Sequence, residues 1–432
     1  MNALRLLPVI LSFLLLGAHF LRSGTYGLVV VAGAFPFLLL VRRRWIAPIM
    51  QLGLIAAVLV WMDTALEITT FRQAVGQSWS RFVAIIGIIS VFTASSALLF
   101  RLNSVRQLYR EGTATGAGAF VITFVLLAIV QIKVDPPLLL LERFFPGMGW
   151  LEILFLSLYA TGITEKMLDP AQTARWRRRI WTIFTVVFFA QLALGLLGLE
   201  QFLMTGKLHL PVPAMIVAGP LFRGDGLFMP ILFTTTVLLV GPAWCSHLCY
   251  IGAWDSTASD HIRKPRRLPP WTRPARAIIL VVIIATAIGL RLAGLSITIA
   301  TILGGVFGLI GVAMMLIWSR RSGAMTHCTV FCPIGLLADV LGKISPFRIR
   351  INDNCTDCGI CRLACRYDAL NLSDIKRRRP ALTCTLCGDC LNSCDDRAIE
   401  YRFFNLHPTT ARTMFIILVV SLHTACLGLA RI

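Results

Sequence analysis

Long apolar runs alternate with short arginine-rich connections over most of this chain, and that alternation is the strongest signal in the sequence. Helices of roughly 17–25 apolar residues are long enough to cross a bilayer. Eleven stretches qualify, near 4–21, 25–41, 45–62, 82–100, 117–132, 148–164, 180–199, 227–248, 276–294, 296–318 and 412–430. Two of them, Ala277–Leu290 and Ser296–Trp318, hold no charge at all, whereas Glu152 interrupts 148–164. Counting 148–164 as a crossing puts every arginine run on one side: Arg42–Arg44, Arg101–Arg110, Arg175–Arg179, Arg263–Arg276 and Arg320–Arg321. Basic residues gather on cytoplasmic connections. The N-terminus and the polar stretch 347–404 are therefore expected in the cytoplasm of a bacterial-type inner membrane, with the C-terminal tail outside. A secretory signal does not fit Leu6–Phe20, since no small-residue cleavage site follows it.

Composition agrees with lipid as the main solvent. Hydrophobic residues make up 57% of the chain and charged ones 14%, against about a quarter charged in soluble domains. The net charge of +20 would suggest nucleic acid in a soluble protein. Here the arginines lie between spans and no groove-reading or stacking motif accompanies them, so no nucleic-acid partner is expected.

Thirteen cysteines change the picture. Eight of them form Cys355-x-x-Cys358-x-x-Cys361-x-x-x-Cys365 and Cys384-x-x-Cys387-x-x-Cys390-x-x-x-Cys394, the bacterial two-cluster ferredoxin spacing. Three cysteines at three-residue steps wrap one cubane, and the fourth reaches across to the other. Cys355, Cys358, Cys361 and Cys394 are thus expected to hold one [4Fe–4S] cluster, and Cys365, Cys384, Cys387 and Cys390 the second. Zinc ribbons would want two pairs of ligands. The proline that usually follows the fourth cysteine is Arg366 in one motif and Asp395 in the other.

The fold class that follows is a mainly α-helical polytopic membrane protein of about eleven transmembrane helices, with a small α+β two-cluster bacterial ferredoxin-like domain. Its expected divisions are an N-terminal bundle of unassigned role (1–180), a span core (181–346), the ferredoxin-like domain (347–404) and a last helix (405–432).

Two further pairs, Cys245-x-x-x-Cys249 and Cys328-x-x-x-Cys332, follow apolar spans at the expected cytoplasmic face. Positions i and i+4 of a helix share one side, so each pair can present two thiolates to one centre. Two readings stand: a further iron–sulfur or other metal centre, or buried or redox-active thiols without metal.

These pairs, the second reading Cys328-Thr-Val-Phe-Cys332-Pro333, followed by the two-cluster motif, resemble the NosR/NapH-type membrane polyferredoxins over approximately Leu227–Phe404. The resemblance implies electron transfer between a quinol pool or cytoplasmic donor and an acceptor at or beyond the membrane. Tyr250 stands where that family usually has proline, no soluble flavin-binding domain precedes the spans, and the first six or so spans have no counterpart in it.

Other residues bear on cofactor chemistry. Thr113–Gly118 only approaches an FMN-attachment sequence, and Gly118 stands where the acceptor threonine would be. His19 and His423 lie in terminal spans, a poor basis for a bis-histidine haem. Neither FMN nor haem is expected. The outer segment 207–226 is rich in proline and glycine yet apolar, and its His209, Arg223 and Asp225 form a candidate quinol site beside the simpler reading of a structural Arg–Asp pair. Cys426 reads as packing.

The expected function is a membrane relay, a quinol dehydrogenase or oxidoreductase component. Lipid surrounds it, a quinone or a soluble ferredoxin or flavoprotein is the donor, and the acceptor is a membrane or extracytoplasmic redox protein. The rivals are a copper-ion reductase or respiratory-enzyme maturation factor, and a redox sensor or anchoring subunit. A transporter lacks support, because no broken-helix pair carries intramembrane carboxylates in corresponding halves.

Overall fold

The computed structural model describes residues 4–111, 114–202 and 210–429. The chain forms two compact units, Met1–Glu165 and Lys166–Ile432. Among the described residues, eight helices are long and apolar enough to cross a membrane: Ile46–Ala74, Ser80–Arg101, Gly116–Lys133, Pro170–Leu196, Phe228–Leu248, Thr272–Leu292, Ile297–Ser322 and Pro408–Leu429. They correspond to eight of the eleven expected stretches.

The other three fall short for identifiable reasons. Leu7–Arg22 has 16 residues, about 24 Å at 1.5 Å per residue, less than the ~30 Å hydrocarbon core. Tyr26–Ala34 changes to a 3₁₀ turn at Phe35, where Pro36 follows. Gly149–Leu168 is 20 residues long but carries Glu152, Glu165 and Lys166. Glu152 does not face lipid bare, because its Oε2 accepts the Leu141 N–H at 2.7 Å. Other helices outrun the apolar pattern. Ile46–Ala74 reaches 29 residues, and Pro170–Leu196 begins ten residues before its apolar stretch, started by Asp169, whose side chain accepts the Ala171 N–H at 3.0 Å. Asp at the N-cap with proline next to it is a standard helix start.

The first unit is organised mainly by apolar packing. Phe13, Phe35, Ile49, Leu54 and Phe120 share one buried cluster, and the Phe13 and Phe35 rings stand 4.9 Å apart.

In the second unit each Cys-x-x-x-Cys pair separates a long apolar helix from a short one, Gly252–Ser259 after the first pair and Pro333–Leu341 after the second. The polar domain contributes two antiparallel strands, β1 (Phe347–Ile351) and β2 (Ile399–Phe403), paired from Phe347↔Phe403 to Ile351↔Ile399. Their side chains alternate. Phe347, Ile349, Ile351, Ile399 and Tyr401 are buried, while Arg348, Arg350, Glu400 and Arg402 point the other way, as a period of two requires. The buried face packs on the last helix, with Phe415 4.7 Å from Tyr401 and 5.4 Å from Phe347. Domain, span core and last helix therefore fall in one unit.

Candidate metal centres

The two ferredoxin motifs fold alike. Left-handed backbone recurs at the same offsets from each first cysteine: Asp357 and Leu386 (φ 56° and 55°), Gly359 and Gly388 (75° and 79°), Asp368 and Arg397 (49° and 50°). Non-glycine residues seldom adopt this conformation, and here it turns each loop around its thiols. The fourth cysteines repeat as well: Ala369 N–H donates to Cys365 Sγ, and Ala398 N–H to Cys394 Sγ, both at 3.3 Å.

The thiols group as two sets. Cys355, Cys358, Cys361 and Cys394 line one cavity walled by Ile351, Ile375 and Ile399. Cys390 lies within electrostatic reach of Cys387, Cys384 and Cys365. Their surroundings differ. Cys358 is exposed, whereas burial, with the neighbouring thiols adding to it, pushes Cys365, Cys384 and Cys387 up to about 12. Thiols held so high keep their protons until a metal displaces them.

The membrane-edge pairs are not on α-helices. Trp244–Leu248 and His327–Phe331 each form one π-helical turn, closed by Cys249 N–H to Trp244 O at 3.0 Å and Cys332 N–H to His327 O at 2.7 Å. Such turns occur often at functional sites. Each second cysteine then leaves helical geometry, Cys332 as the N-cap of the short helix that follows and Cys249 two residues before the N-cap Ile251 of its own. The Ile251 and Gly252 N–H groups pull against the burial that raises Cys249 to about 12. Those of Ile334 and Gly335 do the same for Cys332, which burial also raises.

Glycine is required at both helix starts. A Cβ on Gly252 would sit 2.9 Å from the Cys245 carbonyl oxygen, and one on Gly335 2.7 Å from that of Cys328. The four cysteines line a single cavity with Pro213, Trp244, His327, Ile251 and Ile334. A repeated Cys-x-x-x-Cys-x-Ile-Gly, readable at 245–252 and 328–335, is the sequence signal for this arrangement.

Buried polar groups hold the second turn. Asp255 accepts from Ser319 Oγ at 2.5 Å and from Cys328 N–H at 3.0 Å. Burial raises Asp255 to about 6, and these hydrogen bonds pull it back. Arg276 pairs with Asp339 at 2.8 Å. Burial lifts Asp339 to about 7 against that guanidinium.

Two arginines tie the polar domain to this site. Arg177 is buried and meets both carboxylate oxygens of Asp389, at 3.1 and 2.6 Å, while donating to the Ser246 carbonyl at 3.0 Å. Asp389 lies between Cys387 and Cys390, and Ser246 lies inside the first π turn. Arg366, in the usual proline position, donates from one nitrogen to the carbonyls of Ser259, Ile262 and Gly323 and pairs with Asp260 at 3.0 Å. Between the two sites, Cys328, Tyr367, Cys365 and Cys387 belong to one apolar cluster with Trp181. Sequence reasoning missed both arginines. Nothing distinguishes Arg177 within its basic run, although Arg366 stands out as a departure from the motif.

Among the described residues, no three of Cys, His, Asp and Glu converge tightly enough to hold a single ion. Two of the three cysteine sets line cavities instead, and a cubane of four irons and four sulfides needs such a space between its ligands.

Of the expected quinol residues, Arg223 and Asp225 lie among the described residues. His209 lies outside the described residues, as does Thr113 of the FMN-like stretch. Arg223 and Asp225 form an exposed pair at 3.3 Å. His19 approaches the Thr64 hydroxyl at 3.4 Å, and His423 Nδ1 meets the His247 carbonyl at 3.0 Å. Cys426 packs beside the first cysteine pair.

A 4Fe-4S binding domain family matches residues 223–269 and 300–352 of this chain. Each matched stretch contains one Cys-x-x-x-Cys pair, and neither reaches the eight-cysteine motif. The chain is similar to the "Putative electron transport protein YccM" of Escherichia coli (27% identity, covering 46% of this chain and 58% of that protein). It is also similar to two uncharacterized proteins of Methanocaldococcus jannaschii. MJ0750 is 24% identical, covering 18% of this chain and 32% of that protein; MJ0749 is 23% identical, covering 29% and 46%. The chain thus spans less than two thirds of the length of these relatives. No solved structure matches it.

Proposed function

We propose that this chain is a multi-pass iron–sulfur protein of the cytoplasmic membrane that relays electrons through three cysteine-held centres. Twelve of the thirteen cysteines gather in three groups of four, and that gathering carries the reading. Cys355, Cys358, Cys361 and Cys394 are the ligands of the first centre. Cys365, Cys384, Cys387 and Cys390 hold the second, and Cys245, Cys249, Cys328 and Cys332 the third. The match to a 4Fe-4S binding domain over the last four supports a cluster there, and the name carried by the Escherichia coli relative supports electron transport.

Clusters bound at these positions supply one-electron chemistry at potentials set by burial and by hydrogen bonds to sulfur. The chain's own contributions are readable. Ile251, Gly252, Ile334, Gly335, Ala369 and Ala398 direct N–H groups at cysteine sulfur, which favours the thiolate. Tyr367 and Trp181 keep water from between the second and third sites. Arg177 fixes their separation by holding Asp389 and Ser246 at once. Exposed Cys358 makes the first site the entry or exit point on the polar side, with a soluble ferredoxin or flavoprotein as its partner. The third site, at the end of an apolar span, is the one from which electrons pass to a quinone-level site in the membrane and onward to the acceptor.

Iron and acid-labile sulfide per chain, measured on anaerobically purified protein, test this reading. About twelve of each, falling to about eight in Cys245→Ser/Cys328→Ser, is the expected result for three cubanes. About eight in the parent would remove the third centre, and stoichiometric zinc would remove the redox reading. Copper bound exchangeably at Cys245, Cys249, Cys328 and Cys332 would favour the ion-reductase alternative.

A further inference from the structure

The outward face of the two-stranded sheet borders a groove of about 780 Å³ lined by six arginines, Arg348, Arg350, Arg377, Arg378, Arg379 and Arg402, against two acids, Asp353 and Glu400. The charge is not balanced internally. Arg378 pairs with Asp357 at 2.7 Å and Arg402 pairs with Glu400, while among the described residues Arg350, Arg377 and Arg379 meet no carboxylate. Arg348 and Arg402 are direct cross-strand partners, and like charges so placed are destabilising. Arg350 faces Glu400 across the strands and Arg348 donates to the Gly342 and Phe347 carbonyls, but six arginines against two acids leave an excess of positive charge that an anionic partner would neutralise.

The groove also lies against chemistry. Ile351 lines both the groove and the cavity of Cys355, Cys358, Cys361 and Cys394, and Arg378 donates to the Cys355 carbonyl at 3.3 Å. Exposed Ile344 and Phe404 form an apolar rim at the opposite end.

We infer that this groove is the docking face for a soluble, acidic electron-carrier protein, bringing it one residue from the first set of thiols. The inference rests on the proposed function for the purpose of docking, not for the charge. An acidic protein is favoured over anionic lipid by the distribution of charge. Arg350 and Arg377–Arg379 cluster at the Ile351 end, whereas the strand ends leading to the apolar helices are those at Phe347 and Phe403. Acidic surface against a basic groove raises the association rate and makes binding sensitive to salt.

The test uses the full-length protein, with iron quantified, in nanodiscs of phosphatidylcholine and in others containing phosphatidylglycerol. A purified acidic two-cluster ferredoxin is the probe, and its affinity is measured over a salt series. Arg377→Glu/Arg379→Glu should weaken binding about tenfold or more, equivalent to 1.4 kcal/mol or more, and flatten the salt dependence with iron content unchanged. Arg320→Glu/Arg321→Glu, the same charge change at the end of an apolar helix, should leave affinity as in the parent. Equal losses in both variants, or none in the first, overturn the inference. So does a loss confined to phosphatidylglycerol nanodiscs, which would assign the groove to lipid headgroups. Because affinity and iron content are read separately, a wrong cluster assignment shows in the iron and a wrong docking face shows in the affinity.

Discussion

The two ferredoxin motifs share a backbone and differ in what surrounds it. Left-handed residues and N–H···S contacts repeat at equivalent positions, so the local fold of each loop is dictated by its own cysteine spacing. Yet one set includes exposed Cys358 and borders a basic groove. The other has no exposed cysteine, adjoins Tyr367 and is clamped by Arg177. Spacing sets which thiols meet, and tertiary packing sets who can reach them. In the proposed relay, one motif is the port and its twin an internal station.

The sharpest way to break this contrast is selective metal removal. A hydrophilic ferrous chelator should strip the Cys358-containing set while the buried set persists, giving a two-phase loss of visible absorbance. Single-phase loss would mean the two are equally open. Next in size is Arg177→Ala. It leaves Asp389 facing a desolvated site and frees the Ser246 carbonyl, and breaking a buried pair from one side costs about 3–5 kcal/mol. The variant should lose iron from the buried set and unfold at markedly lower temperature in detergent. A Tm within a degree of the parent would show the clamp to be dispensable.

Gly252→Ala and Gly335→Ala carry the comparison to the paired π turns. Overpacking at such positions costs about 1–3 kcal/mol. The expected order is Gly252→Ala worse than Gly335→Ala, because the added methyl would also strike Trp181. Iron above eight per chain is the quantity to follow. The smallest effect is expected for Arg378→Ala. Its pair with Asp357 is largely solvated and is worth about 0–1 kcal/mol, so thermal unfolding should barely move.

Much of this was legible beforehand because it is local. Apolar run length gives eight of the spans, and the cysteine spacing gives both ferredoxin loops. Run length and the long apolar helices part at Phe35–Pro36, where the helix tightens, and at Gly149–Leu168, where three charges share a helix. The i, i+4 argument assumed α-helices where each pair lies on a π turn, since nothing local announces one. Arg177 meets Asp389 across 212 positions of sequence, and no periodicity encodes a contact of that range.

Arg366 holds its neighbours through main-chain oxygens at Ser259 and Ile262, which every amino acid supplies. In evolutionary terms those two contacts ask nothing of the side chains that supply them, while the arginine and its partner Asp260 are both constrained. A lineage that restored proline after Cys365 would regain the usual motif and forfeit the attachment.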